Sequence, residues 1–120
     1  MTVTGVPARG EIWWAHLPEP AGSGPGYRRP VLVVSADSFN FSDLNTVIGV
    51  TISSNVGLAE SPGNVELAGA DSGLRQDSVV NVAQVLTIDK TRLDHRVGGI
   101  DAATMWRVEA GLRLVLELAA

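Results

Sequence analysis

The run GPGYRRPVLVVS, Gly24 to Ser35, places two adjacent arginines, Arg28 and Arg29, between a glycine-rich loop and an apolar stretch. A guanidinium stays charged at any working pH and presents a planar fork of donors. It therefore grips phosphate oxygens in pairs and can stabilise charge developing on phosphorus. Further on, TVIGVTISS, Thr46 to Ser54, sets Thr51 and Ser53 one pleat apart. If that strand face is open, it offers hydroxyl donors to the same phosphate. Together these residues suggest a phosphodiester site. Paired arginines on a solvated edge and threonines on a strand are also commonplace structural features.

The elements that must position these residues are mainly strands. EIWWAHL, Glu11 to Leu17, is rich in strand formers and stops at Pro18 and Pro20. Pro18 to Gly26 is predicted to be a long loop, because its prolines and glycines cannot pair regularly. VLVVS, Val31 to Ser35, has the unbroken β-branched character of a strand buried on both faces. The polar SADSFNFSDLN connects it to Thr46–Ser54, where Ile48, Val50 and Ile52 form an apolar face opposite Thr51 and Ser53. NVELAG is a short strand, ADSGLRQ a polar turn, and Ser78 to Ile88 a longer strand in which Asn81 and Gln84 suggest a bulge. DHRVGG is predicted to be a turn that leaves His95 on the surface. Asp101 then caps a helix with an apolar stripe of Met105, Val108, Leu112 and Val115, and Leu116 beside it. Gly111 within that helix implies close packing. The expected architecture is mainly β, a small partly open barrel of five or more antiparallel strands with a C-terminal helix, in one domain over residues 1–120.

Composition narrows the function. Nine basic residues against thirteen acidic give a net charge of −4, so any polyanion site is a local patch and not a general basic surface. Lys90, Arg92 and Arg96 form a second, looser basic group. There are no cysteines, and His16 and His95 are the two imidazoles, which argues against a metal centre. No apolar stretch is long enough for a membrane span and no signal-peptide pattern opens the chain, so a cytoplasmic protein is expected. His16, at the end of the first strand, could transfer protons at neutral pH, although a structural role is the commoner one for an imidazole without a visible partner. Trp13 and Trp14 could stack on bases; they point to opposite faces, so at most one is core and the other is exposed or at an interface.

In order along the chain, RGEIWWAHLPEPAGSGPGYRRPVLVVS, VIGVTISSN and LRQDSVVNVAQVLTIDKTRL resemble the MazF/PemK toxins of bacterial toxin-antitoxin pairs, over about Arg9 to Leu93. The resemblance implies a CcdB/MazF-like, SH3-like barrel that forms a homodimer. It also implies a cofactor-free endoribonuclease that cuts single-stranded RNA without a metal, by attack of the ribose 2′-hydroxyl. The products are a 2′,3′-cyclic phosphate and a 5′-hydroxyl. On this pattern Arg29 is the catalytic arginine and Ser53, or Thr51 on the same face, supplies the hydroxyl. Arg28, Gln84, Trp14 and His16 are assigned to RNA. Gly24 stands where some members carry a glutamate and Leu86 where an arginine is usual, so the general base stays unassigned. The implied partner is a MazE-like antitoxin whose disordered C-terminal tail covers the RNA groove. Two other readings remain: a CcdB-like protein that poisons DNA gyrase, and an inactive member that only binds RNA or antitoxin.

Overall fold

The computed structural model describes residues 5–20, 22 and 27–119. Most of the glycine-rich loop, including Gly24, therefore lies outside the described residues. Strands β1 (Glu11–Leu17), β2 (Tyr27–Val33), β3 (Thr46–Ser53), β4 (Val65–Leu67), β5 (Ser78–Asp89) and β6 (Leu93–Gly99) form one antiparallel sheet in the order β4-β5-β3-β2-β1-β6. The sheet curls into a half-barrel that carries a helix, α3 (Ala102–Leu116). Two one-turn helices, α1 (Asp37–Asn40) and α2 (Gly69–Ser72), interrupt the connections. α1 forms inside the polar connection because Asn40 bonds back to Ser35 and Asp37, closing that segment on itself.

Each face of the sheet carries a buried apolar cluster. Val31, Leu32 and Val33 of β2 are fully buried, as expected of the β-branched run. Leu32 joins Val50, Ile52, Val80 and Val82 beneath Val108 of α3, whereas Val31 and Val33 join Trp13, Ala15, Val47 and Ile88 on the other face. Burying each such side chain contributes about 1.5–3 kcal/mol, so the framework under the strand ends is rigid.

β5 carries the bulge that Asn81 and Gln84 suggest. Val50 pairs with Val85 but Thr51 pairs with Asn81, leaving Val82, Ala83 and Gln84 of β5 without partners on β3. The segment predicted to be the DHRVGG turn is instead most of β6. It pairs with β1 through two register shifts, which let a glycine-containing polar segment follow the curl of the sheet.

Asp101 caps α3 by accepting the Thr104 N–H at 2.8 Å. A Cβ on Gly111 would lie 3.0 Å from the Gly63 carbonyl carbon, so the helix backbone rests directly on the turn before β4. Met105 and Val108 are buried, but the stripe is not covered to its end: Val115 and Leu116 are exposed, as is Trp106 on the outer face.

Candidate functional site

Antiparallel pairing brings the start of β2, the end of β3 and the start of β5 to one end of the sheet. β6 is added beyond β1. A cleft of about 830 Å³ opens there. Arg28, Arg29 and Pro30 line it from β2, and Ile52, Ser53 and Ser54 from the end of β3. Trp14 of β1 and His95, Arg96 and Val97 of β6 form another side. Gly73 to Gln76, together with Ser78, closes the remainder.

Two backbone features set these walls. Tyr27, at φ 62°, occupies the left-handed region immediately before Arg28 and turns the chain into β2. Gly73 has φ 85° and ends α2 against β6, where a Cβ would lie 2.5 Å from the Val97 carbonyl oxygen. Only glycine permits both this conformation and this approach. Arg75 and Gln76 are thereby held beside β6.

The cleft concentrates positive charge. Arg28, Arg29, Arg75 and Arg96 line it, and no Asp or Glu is in its lining among the described residues. The balancing carboxylates stand at its margin. Arg28 donates from Nε and Nη2 to Asp94 Oδ2 at 3.0 and 2.9 Å, and its guanidinium carbon lies 4.4 Å from the Trp14 ring centroid. Arg96 Nε meets Glu11 Oε2 at 2.7 Å. The hydrogen bonds from Arg28 hold the Asp94 carboxyl below its usual range, with a smaller contribution from the charge of Arg28 and from His16.

Of the residues expected from the sequence, Arg28, Arg29, Ser53 and Trp14 come together in the cleft. The β2–β3 ladder ends at the pair Val31 and Thr51, and Arg29 and Ser53 lie two residues further along each strand, both in the lining. Ser53 Oγ accepts the Asn55 N–H at 3.1 Å, which leaves its own O–H free to donate. Thr51 does not share that opening. It is 2 % exposed and absent from the lining, because the face it shares with Val47 is covered by the second apolar cluster. Gln84 sits in the β5 bulge and also does not line the cleft.

His16, the exposed residue of β1, lies outside the lining, with Nε2 3.3 Å from Asp94 Oδ2. Trp13 is the buried member of the tryptophan pair. In the looser basic group Arg96 alone lines the cleft; Lys90 bonds the Ser42 carbonyl and Arg92 the His16 carbonyl. Arg75, Arg96 and His95 are the site residues that sequence reasoning did not assign. Their one sequence signal is charge near Gly73 and Gly98, where α2 closes on β6. Among the described residues, no group of three or more His, Asp or Glu is arranged to hold a metal ion.

The chain is thus a mainly β protein, a curled half-barrel with a cationic cleft at one end that also presents a serine hydroxyl and an indole. Residues 8–116 match the family described as the PemK-like, MazF-like toxin of type II toxin-antitoxin systems, and the chain belongs to that family. Endoribonuclease MazF2 of Mycobacterium bovis is 50% identical over 113 residues, which are 94% of this chain and 99% of that protein. The Mycobacterium tuberculosis toxin MazF-mt6 has the same fold, with a TM-score of 0.75 and 25% identity, covering 92% of this chain and 99% of its own. So does an endoribonuclease from a mycobacterial species, solved in complex with its cognate antitoxin. It has a TM-score of 0.71 and 24% identity over 98% of this chain and 99% of that one. No helix among the described residues is long and apolar enough to cross a membrane.

Proposed function

We propose that this chain is the toxin of a type II toxin-antitoxin pair and acts in the bacterial cytoplasm as a metal-independent endoribonuclease on single-stranded RNA. The observation that carries this reading is the convergence of Arg28, Arg29, Arg75 and Arg96 on one cleft, with no carboxylate in the described lining, in a protein of net charge −4. Such a cleft attracts a polyanion while the rest of the surface repels it.

The ribose 2′-hydroxyl attacks the adjacent phosphorus and the 5′-oxygen leaves, giving a 2′,3′-cyclic phosphate and a 5′-hydroxyl end. Arg29 meets the charge that builds on the phosphoryl oxygens, and Ser53 donates a further hydrogen bond. Trp14 stacks a splayed base, which selects a single strand over a duplex. Carboxylates on a disordered, acidic antitoxin tail match the same guanidinium groups and would displace RNA. A homodimer would cover some of the exposed apolar side chains of α3, among them Trp106 and Leu114. A single toxin domain over residues 1–120 is assigned the activity.

The experiment is to incubate the purified protein and EDTA with a long single-stranded RNA and to map the 5′ ends. Discrete cuts bearing 5′-hydroxyls are expected. Intact RNA in the presence of folded protein overturns the reading, and inhibition of gyrase supercoiling in that event assigns the cleft to a protein target.

A further inference from the structure

Attack by a 2′-hydroxyl requires a group to take its proton. The arginines of the cleft cannot, since a guanidinium does not give up its own proton in a protein. Within the described lining, the side chain that ordinarily exchanges a proton near neutrality is His95. Its placement has a structural cause. Trp14 pairs with His95 and Ala15 with Leu93, so Asp94 is an extra residue without a β1 partner. Such a bulge re-aims neighbouring side chains. Adjacent residues of a regular strand point to opposite faces, yet here His95 Nδ1 and Asp94 Oδ2 are 3.7 Å apart. Asp94 is already ionised and anchored by Arg28.

Resting on the nuclease reading, we propose that His95 is the proton-transfer residue of this cleft and that Asp94 positions it. Nδ1 turns to the carboxylate, and Nε2 receives the proton of the attacking 2′-hydroxyl as the O2′–P bond forms. The P–O5′ bond breaks and the 5′-oxygen takes a proton from solvent. The imidazolium then returns its own proton to solvent, so one turnover consumes no net proton. The 3.7 Å separation is longer than a hydrogen bond, and catalytic pairs of this kind tighten when substrate is bound. The charged groups around His95 are Asp94, 3.7 Å from Nδ1, and Arg28, Arg29, Arg75 and Arg96, which line the same cleft. His16 reaches the same carboxylate from β1 but lies outside the cleft lining.

The test measures single-turnover cleavage of the mapped RNA from about pH 5 to about pH 9, with binding of a 2′-O-methyl analogue measured in parallel. His95→Gln is expected to cut about 10²- to 10⁴-fold more slowly and to lose the acid limb of the pH profile. Its affinity for the analogue should stay within about threefold, since the analogue needs no proton transfer. Added imidazole should restore part of the rate to His95→Ala, a rescue that no purely structural role allows. If His95→Gln keeps the wild-type rate and acid limb, or if His16→Gln loses that limb instead, the inference is overturned while the nuclease reading stands. Wild-type protein that cuts nothing overturns both.

Discussion

The guanidinium carbon of Arg28 lies 4.4 Å from the centroid of the Trp14 indole, and both side chains line the cationic cleft. An RNA base that stacks here meets a preformed aromatic and cationic platform. Trp14→Ala is expected to weaken binding of a non-cleavable single strand by about 1–3 kcal/mol, roughly 5- to 150-fold. Trp14→Phe should keep much of the affinity. Fluorescence anisotropy of a labelled oligonucleotide decides it, and unchanged affinity in Trp14→Ala would remove the indole from the RNA path.

Asp94 competes with phosphate for Arg28, because both offer anionic oxygen to the same donors. Asp94→Asn should therefore bind RNA more tightly at low salt. The salt dependence should steepen by up to about 0.7 in log–log slope, the value for one further phosphate contact on a single strand. The same variant should cut more slowly at saturation, since His95 loses its carboxylate. Tighter binding together with slower cutting is the signature; weaker binding would show that Asp94 only supports the fold.

Arg29 and Ser53 are the pair expected to act on the scissile phosphate. Arg29→Ala should reduce the rate by about 10²- to 10³-fold or more, and Arg29→Lys should recover only part, because a point charge does not reproduce the fork. Ser53→Ala should slow cleavage, whereas Thr51→Val should leave it within about threefold, its effect falling on the packing around a buried side chain. Cleavage rates set beside thermal melting temperatures separate these outcomes. Loss of activity in Thr51→Val at unchanged stability would return Thr51 to the site.

Gly73→Ala should act on fold and function together. Adding a Cβ at φ 85°, against the Val97 carbonyl, costs about 1–2 kcal/mol for the conformation alone. It also pushes Arg75 away from β6. A lower melting temperature with weaker RNA binding is expected; a melting curve and affinity like those of the wild type would refute the close approach.

Asp89, Asp94 and Asp101 all hold carboxyl groups below their usual range, Asp89 and Asp101 chiefly through hydrogen bonds from Thr91 and Thr104. Because the folded values are depressed, the stability they contribute is complete above the unfolded value of about 3.9 and is lost as pH falls through the folded values. Asp101→Asn can still cap α3 but cannot titrate. Its melting temperature should fall less than that of the wild type between neutral pH and about pH 3. An equal fall would show that Asp101 takes no part in acid unfolding.

Much of the framework was legible in local sequence. The β-branched run marked the buried end of β2, although the strand spans Tyr27–Val33 and not Val31–Ser35, Asp101 marked the start of α3, and Gly111 announced close packing there, which is with Gly63. That Arg28, Arg29 and Ser53 meet in one cleft was legible because β2 and β3 are neighbours in chain order and pair with each other. The burial of Thr51 was not legible, because alternation tells which face a side chain takes but not whether that face is covered by residues such as Trp13, Val47 and Ile88. His95 was assigned to a turn because β6 is polar and glycine-containing. Its strand character comes from pairing with β1, across most of the chain. Arg75 depends likewise on the close approach of Gly73 to Val97, which no local pattern records.

The pairing of the first strand with the last has a consequence in time. During synthesis Arg28, Arg29 and Trp14 leave the ribosome early, but Asp94, His95 and Arg96 follow only after nearly the whole sheet has been made. A partly translated chain therefore has no complete cleft, because the wall that β6 supplies closes only when β6 pairs with β1.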